Sequence, residues 1–351
     1  MRSNRIWPMI LLWCALPNLA QAVYPDMQEE IATQPKAADE HYFTPRDLSR
    51  IPSGAFGDKV RKGYELFVNT QQLKGRYVGN TLNCTNCHLD AGTKAYAAPM
   101  WAAYLAYPAF RKKDNRVNNF AERIQGCFNY SMNGKAPALD SPELVAMSAY
   151  SYWLLMGGLL DMFGMQDKPV PELDDKHLQL GGNDESFVLP GPLAGRVKMA
   201  GREHMPGRAF ATLARPPEDA SPSRGQQVYS QYCAVCHGDQ GQGREMADVP
   251  VLPALWGAQS YNWGAGMHRV NTAATFIFEN MPLGKGVQLS VQEAWDVAAF
   301  INSRERPQDP RFNGDLSSTA KAFHGADQGY YGKTVDGKAL GSQAFPSGIQ
   351  P

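Results

Sequence analysis

Two five-residue runs, Cys84-Thr85-Asn86-Cys87-His88 and Cys233-Ala234-Val235-Cys236-His237, carry the clearest chemistry in the chain. In C-x-x-C-H the two thiols add to the vinyl groups of a haem and the histidine becomes an axial iron ligand. The two runs use four of the six cysteines. A zinc site would need further Cys or His at metal-ligand spacing, and none is present. The runs therefore predict two covalently attached haem c groups, with His88 and His237 as proximal ligands.

The far side of each iron is less uniform. For the second haem, Met281 in Asn280-Met281-Pro282-Leu283-Gly284 lies 44 residues after His237. A thioether followed by proline is the expected sixth ligand of an electron-transfer haem, with Met246, Met267 and His268 as rivals. For the first haem, the 149-residue offset between the two runs shifts Met281 onto Met132. Five residues before Met132 stands Cys127, a thiol outside both haem runs. It reads either as a small buried hydrophobe or as a thiolate on or beside the iron. Just ahead of it, Arg111, Lys112, Lys113, Arg116 and Arg123 face only Asp114 and Glu122, a local net charge of +3. The chain as a whole has 34 basic and 34 acidic residues, so global charge says nothing about partners, and no nucleic-acid partner is expected. The cations are a solvated helix face or an anion site, to which arginine would bring its fork of donors.

The elements that must position these groups repeat along the chain. Ser141-Pro142-Glu143 and Ser290-Val291-Gln292-Glu293 each open an apolar helix, and each serine lies 57 residues after its first haem cysteine. Upstream, Gly63-x-x-x-Phe67 and Gly225-x-x-x-Tyr229 have the small-then-aromatic spacing of closely crossing helices. The fold class is all-α: two tandem cytochrome c domains joined by a long connector. The boundaries are a signal peptide (1–22), an N-terminal haem domain (40–165), the connector (166–222), a C-terminal haem domain (223–306), and an extended or disordered tail (307–351). The first domain carries a loop, Gln71 to Leu82, that the second lacks. Arg2 and Arg5, the apolar stretch Ile6 to Leu19 and Ala20-Gln21-Ala22 read as an export signal cleaved after Ala22, which predicts a periplasmic protein. No later stretch is long enough to span a bilayer, so no stable membrane anchor is expected.

The segment Arg123-Ile124-Gln125-Gly126-Cys127-Phe128-x-x-Ser131-Met132-Asn133-Gly134, with Tyr107-Pro108-x-Phe110-Arg111 before it and Asn280-Met281-Pro282 in the second domain, closely resembles the dihaem thiosulfate dehydrogenase and tetrathionate reductase family (TsdA). The resemblance covers roughly residues 40 to 305. It implies an oxidoreductase that interconverts two thiosulfates and one tetrathionate, with electrons passing to an external cytochrome. It further implies that the first haem is the catalytic one and the second the electron-transfer one. Cys127 would be the distal ligand and reactive sulfur of the first, with Met132 left as a neighbour. Arg123 and Arg111 would hold sulfonate oxygens, and Lys113 and Arg116 are further candidates. Some relatives carry a lysine before the second-haem methionine. Here Asn280 stands there, which implies plain His237/Met281 ligation. Two other readings stay open: a Sox-type cytochrome, whose special cysteine would belong to the C-terminal haem domain, and a non-catalytic dihaem electron carrier.

Overall fold

Helix α1 (Gly54–Val68) buries Gly57, Val60, Gly63, Leu66 and Phe67, a stripe at helical spacing. A β-hairpin follows, with β1 (Ala109–Arg111) antiparallel to β2 (Arg116–Asn118). Next come α2 (Phe120–Gly126) and α3 (Pro142–Met162). The second lobe is built from α4 (Pro222–Val228), the hairpin β3 (Arg244–Met246) and β4 (Val249–Leu252), α5 (Val270–Asn280) and α6 (Val291–Asn302). The C-terminal segment adds α7 (Leu316–Phe323) and a short hairpin, β5 (Thr334–Val335) with β6 (Lys338–Ala339). The computed structural model describes residues 46–162, 209–246, 249–284, 288–325, 329–346 and 349. The signal segment and most of the connector lie outside these residues.

The same crossing organises both lobes. A Cβ placed on Gly63 would sit 2.0 Å from the Ala146 carbonyl oxygen in α3; one on Gly225 would sit 1.9 Å from that of Asp296 in α6. No side chain fits there, so the glycines let α1 meet α3 and α4 meet α6 backbone to backbone. One turn on, the aromatic of each motif seals the crossing: Phe67 meets Tyr150 at 5.7 Å between ring centroids, and Tyr229 meets Phe300 at 5.3 Å. Ser290 and Glu293 form a reciprocal capping box at the start of α6, and the Ser141 hydroxyl accepts from the Leu144 N–H at the start of α3.

The Gln71–Leu82 loop lies between the lobes. Asn80 is buried and its amide donates to the Ser131 carbonyl at 2.8 Å and to the Ser260 carbonyl at 3.1 Å. From the second lobe, Asn262 answers by donating to the Asn129 carbonyl at 2.8 Å. The loop and the 259–264 segment thus grip the stretch that follows Cys127 from two sides.

The expectation for the tail is corrected. Rather than extended or disordered, its described residues are folded onto the second lobe. Trp263, Tyr331 and Leu340 form a buried cluster, and Tyr331 stacks on His324 at 4.0 Å. Backbone bonds from Trp263 to Pro307 and from Phe345 to Arg306 fasten both ends. The sequence gives no periodic signal because the order rests on a few aromatics and on glycine turns. Gly332, Gly337 and Gly341 all have φ between 78° and 91°. The described helices are likewise accompanied by three two-stranded ladders, a minor addition to an all-α fold.

Candidate active site at Cys127

Helix α2 begins with a capping box of Asn119 and Glu122 and runs directly into a π-helical turn, Cys127–Ser131. The widened turn closes with the Met132 N–H donating to the Cys127 carbonyl at 2.9 Å. Such turns add a residue to a helix and so re-aim its side chains. The Cys127 sulfur meets the His88 imidazole and lies near the Cys84 and Cys87 thiols. Met132 is instead buried in the apolar core with Phe128 and Leu73. The geometry therefore brings Cys127 to His88, against the register of the internal repeat.

Charge surrounds that sulfur. The Arg123 guanidinium, one helical turn back, donates to Cys127 Sγ at 2.8 Å and also bonds Tyr107. Arg111 packs over Gly126, 3.3 Å from where a Cβ would stand, and is held by Asp114 at 3.2 Å. Burial alone would push the Cys127 thiol up, but Arg123, His88 and Arg111 outweigh it and bring it down to about 6. The haem-run thiols behave in the opposite way: burial pushes Cys84, Cys87 and Cys233 up to about 12.

Lys113 joins the site from the hairpin tip. Its ammonium sits 4.4 Å above the Tyr130 ring and donates to the Gly264 carbonyl. Burial, then Arg311, Arg123, Arg111 and Arg269, lowers its pKa to about 7. Arg311 and Arg269 were not singled out in the sequence. Arg311 lies in the tail, forks onto Asp309 at 2.6 Å and 2.9 Å, covers the Tyr130 ring and donates to the Lys113 carbonyl. Only the fold joins it to a residue 198 positions away. Arg116 turns outward: it is more than half exposed and pairs with Glu122 at 2.8 Å.

In the second lobe, Met281 follows α5 and packs, with Cys233, Leu255 and Trp256, against a core of Ile277, Phe278 and Val297. Asn280 is buried and donates to the Phe276 carbonyl at 3.1 Å.

Residues 73–153 match the family described as SoxA/TsdA, cytochrome c domain, and residues 220–301 match cytochrome C oxidase, cbb3-type, subunit III. A thiosulfate dehydrogenase of Stutzerimonas stutzeri (strain A1501) is 44% identical over 92% of this chain and 93% of its own length. The chain belongs to the thiosulfate dehydrogenase family. Another member, from Thiomonas intermedia (strain K12), is 39% identical over 97% of both chains. The solved thiosulfate dehydrogenase (TsdBA) from Marichromatium purpuratum, in its as-isolated form, superposes with a TM-score of 0.71 at 41% identity over 90% of this chain. This chain spans 60% of that one's length.

Two cytochrome c domains imply haem c as the resident cofactor, and the residues of this family member fit it. All five described cysteines are free thiols rather than disulfides. His88 places Nδ1 2.6 Å from the Ala98 carbonyl oxygen, and His237 places Nδ1 2.9 Å from that of Pro253. Each carbonyl fixes the proton on Nδ1 and leaves the Nε2 lone pair for iron. Among the described residues no group of three or more His, Cys, Asp or Glu is gathered for a different metal. No described helix is long and apolar enough to cross a membrane.

Proposed function

We propose that this chain is a dihaem oxidoreductase interconverting two thiosulfates and one tetrathionate, with Cys127 as the reacting sulfur. The observation that carries this is the cysteine facing His88 under the Arg123 guanidinium. Arg123, Arg111 and Lys113 bind the sulfonate oxygens of the first thiosulfate and aim its terminal sulfur at Cys127. A sulfur–sulfur bond forms between them and two electrons leave, giving a cysteine S-thiosulfonate. The terminal sulfur of a second thiosulfate attacks the sulfane sulfur bonded to Cys127 Sγ; that Sγ–S bond breaks, tetrathionate departs and the Cys127 thiolate is restored. The first dianion carries two negative charges to a thiolate, and the second meets an anionic adduct. Each like-charge contact costs on the order of 1 kcal/mol in water and more in a drier pocket. The cation set offsets that repulsion.

Two haem c groups would sit at Cys84, Cys87 and His88 with Cys127, and at Cys233, Cys236 and His237 with Met281. When bound, they would take up the two electrons and pass them on. Exit through the second lobe to an external cytochrome is supported by Val235 and Leu283. These stand beside the second haem's thiols and methionine and are 59% and 56% exposed. A Sox-type role has less support, since the second lobe holds no cysteine besides Cys233 and Cys236. The test is Cys127→Gly: both haems stay attached and turnover in either direction falls by more than about a thousandfold, the scale for removing a covalent nucleophile. Near-normal turnover in that variant contradicts the proposal.

A further inference from the structure

The carbonyl that holds the His88 imidazole belongs to a loop whose shape is fixed from outside its own lobe. Ala98 donates its N–H to the Ala209 carbonyl at 2.7 Å, and Ala97 pairs antiparallel with Phe210. Ala209 and Phe210 lie within the connector. The Phe210 ring meets that of Phe276, in the second lobe, edge-on at 6.0 Å. Phe210 and Met281 both pack against a buried cluster of Leu89, Ala97 and Phe276, and Leu89 follows His88 in the chain.

Backbone strain is concentrated at the same place. Of the eight described non-glycine residues with positive φ, Asp90, Ala91, Tyr96 and Ala98 fall in the ten residues after His88, and Ala209 is a fifth. Each such conformation is unfavourable for a residue with a side chain and persists only where its surroundings over-determine it. At Ala98 the surroundings are the Ala209–Phe210 pairing and the cluster beneath it, whereas Ala91 is held by Tyr150 and Thr85.

We propose that Ala209 and Phe210 form a strap that positions the His88 imidazole through the Ala98 carbonyl and thereby sets how electron-rich the first iron is. A strong Nδ1–H···O bond raises the basicity of the coordinating nitrogen and stabilises the oxidised metal. Because Phe210 shares its cluster with Met281, the strap also ties the first haem's setting to packing around the second. The inference rests on reading His88 as a ligand of the first haem. It does not require that thiosulfate be the substrate.

The experiment uses the holoprotein and reads the reduction potential of each haem by spectroelectrochemistry, with no sulfur compound present. Phe210→Ala removes the packing that holds the strap, and Phe210→Leu keeps most of it. The expected result, at unchanged haem content, is an upward shift of the first-haem potential in Phe210→Ala and a return toward wild type in Phe210→Leu. An unchanged first-haem potential in fully loaded Phe210→Ala overturns the proposal, as does a shift confined to the second haem. Should Phe210→Ala load haem incompletely, amide exchange on the wild-type protein decides. The Ala98 N–H exchanges as slowly as those in α1 if the strap holds it, and at open-loop rates if it does not. Absence of thiosulfate turnover in the wild-type holoprotein would count against the proposed reaction and leave these readouts standing.

Discussion

The two lobes share a glycine crossing, an aromatic seal and a haem-attachment run, yet they surround the facing iron position in opposite ways. In the first, a π-helical turn brings Cys127 to His88 beneath Arg123, with Arg111 and Lys113 close by. In the second, Met281 stands at the end of α5 among apolar residues, and the side chain before it is spent on a backbone carbonyl. The scaffold is the same; under the proposed function, charge and ligand chemistry divide the labour. A soft neutral thioether suits a site that relays electrons, whereas a thiolate under guanidinium groups suits one that makes a bond to an anion.

The contrast breaks most sharply at Arg123. Arg123→Gln removes the charge that lowers the pKa of the Cys127 thiol and that, in the proposed reaction, binds sulfonate. Its kcat/KM should drop about a hundred- to a thousandfold, the range for losing a preorganised charged donor. Steady-state kinetics check this, and the second-haem potential should stay unchanged in the same sample. The shared crossing gives the next effect. Gly63→Ala and Gly225→Ala each force a methyl into a backbone carbonyl, and overpacking of that kind costs about 1–3 kcal/mol. Thermal unfolding should show comparable losses for the two variants. A large loss in one alone would mean that the lobes are not built alike.

Acid tests the tail that the second lobe carries. His268 and His324 are buried side by side, 3.1 Å apart, and burial lowers both below the ordinary histidine value. The unfolded chain then binds protons that the folded chain refuses. Stability is therefore lost as pH falls through about 6.5, by about 1.4 kcal/mol per pH unit for each proton excluded. Asp309, held well below the carboxylate range despite its burial by bonds from Arg311 and His324, adds a loss only at lower pH, beneath about 4. Unfolding curves between pH 7 and 5 should flatten when His324 is replaced by Asn. The smallest effect belongs to Arg116: exposed and paired with Glu122, it should leave kcat/KM within about twofold in Arg116→Gln.

How far the sequence revealed this arrangement follows from the range of each interaction. Gly63 and Gly225, the Ser290 cap and the haem runs were legible because each acts within a few residues or repeats at a fixed offset. The tail was not legible, since its order depends on Trp263 receiving Tyr331 and on Asp309 meeting Arg311 and His324. Arg311 and Arg269 escaped notice at the candidate site for the same reason: only the fold brings them to Lys113. The internal repeat even pointed to Met132. The π-helical turn, which no propensity announces, breaks that register.

One spectrum bears most directly on the central claim that Cys127 faces the first iron as a thiolate. Oxidised holoprotein should show near-infrared and electron-paramagnetic signals of one thiolate-ligated and one methionine-ligated low-spin haem, and Cys127→Gly should lose the thiolate set alone. Two methionine-type signals in the wild-type protein, or thiolate signals that persist in Cys127→Gly, would contradict the account.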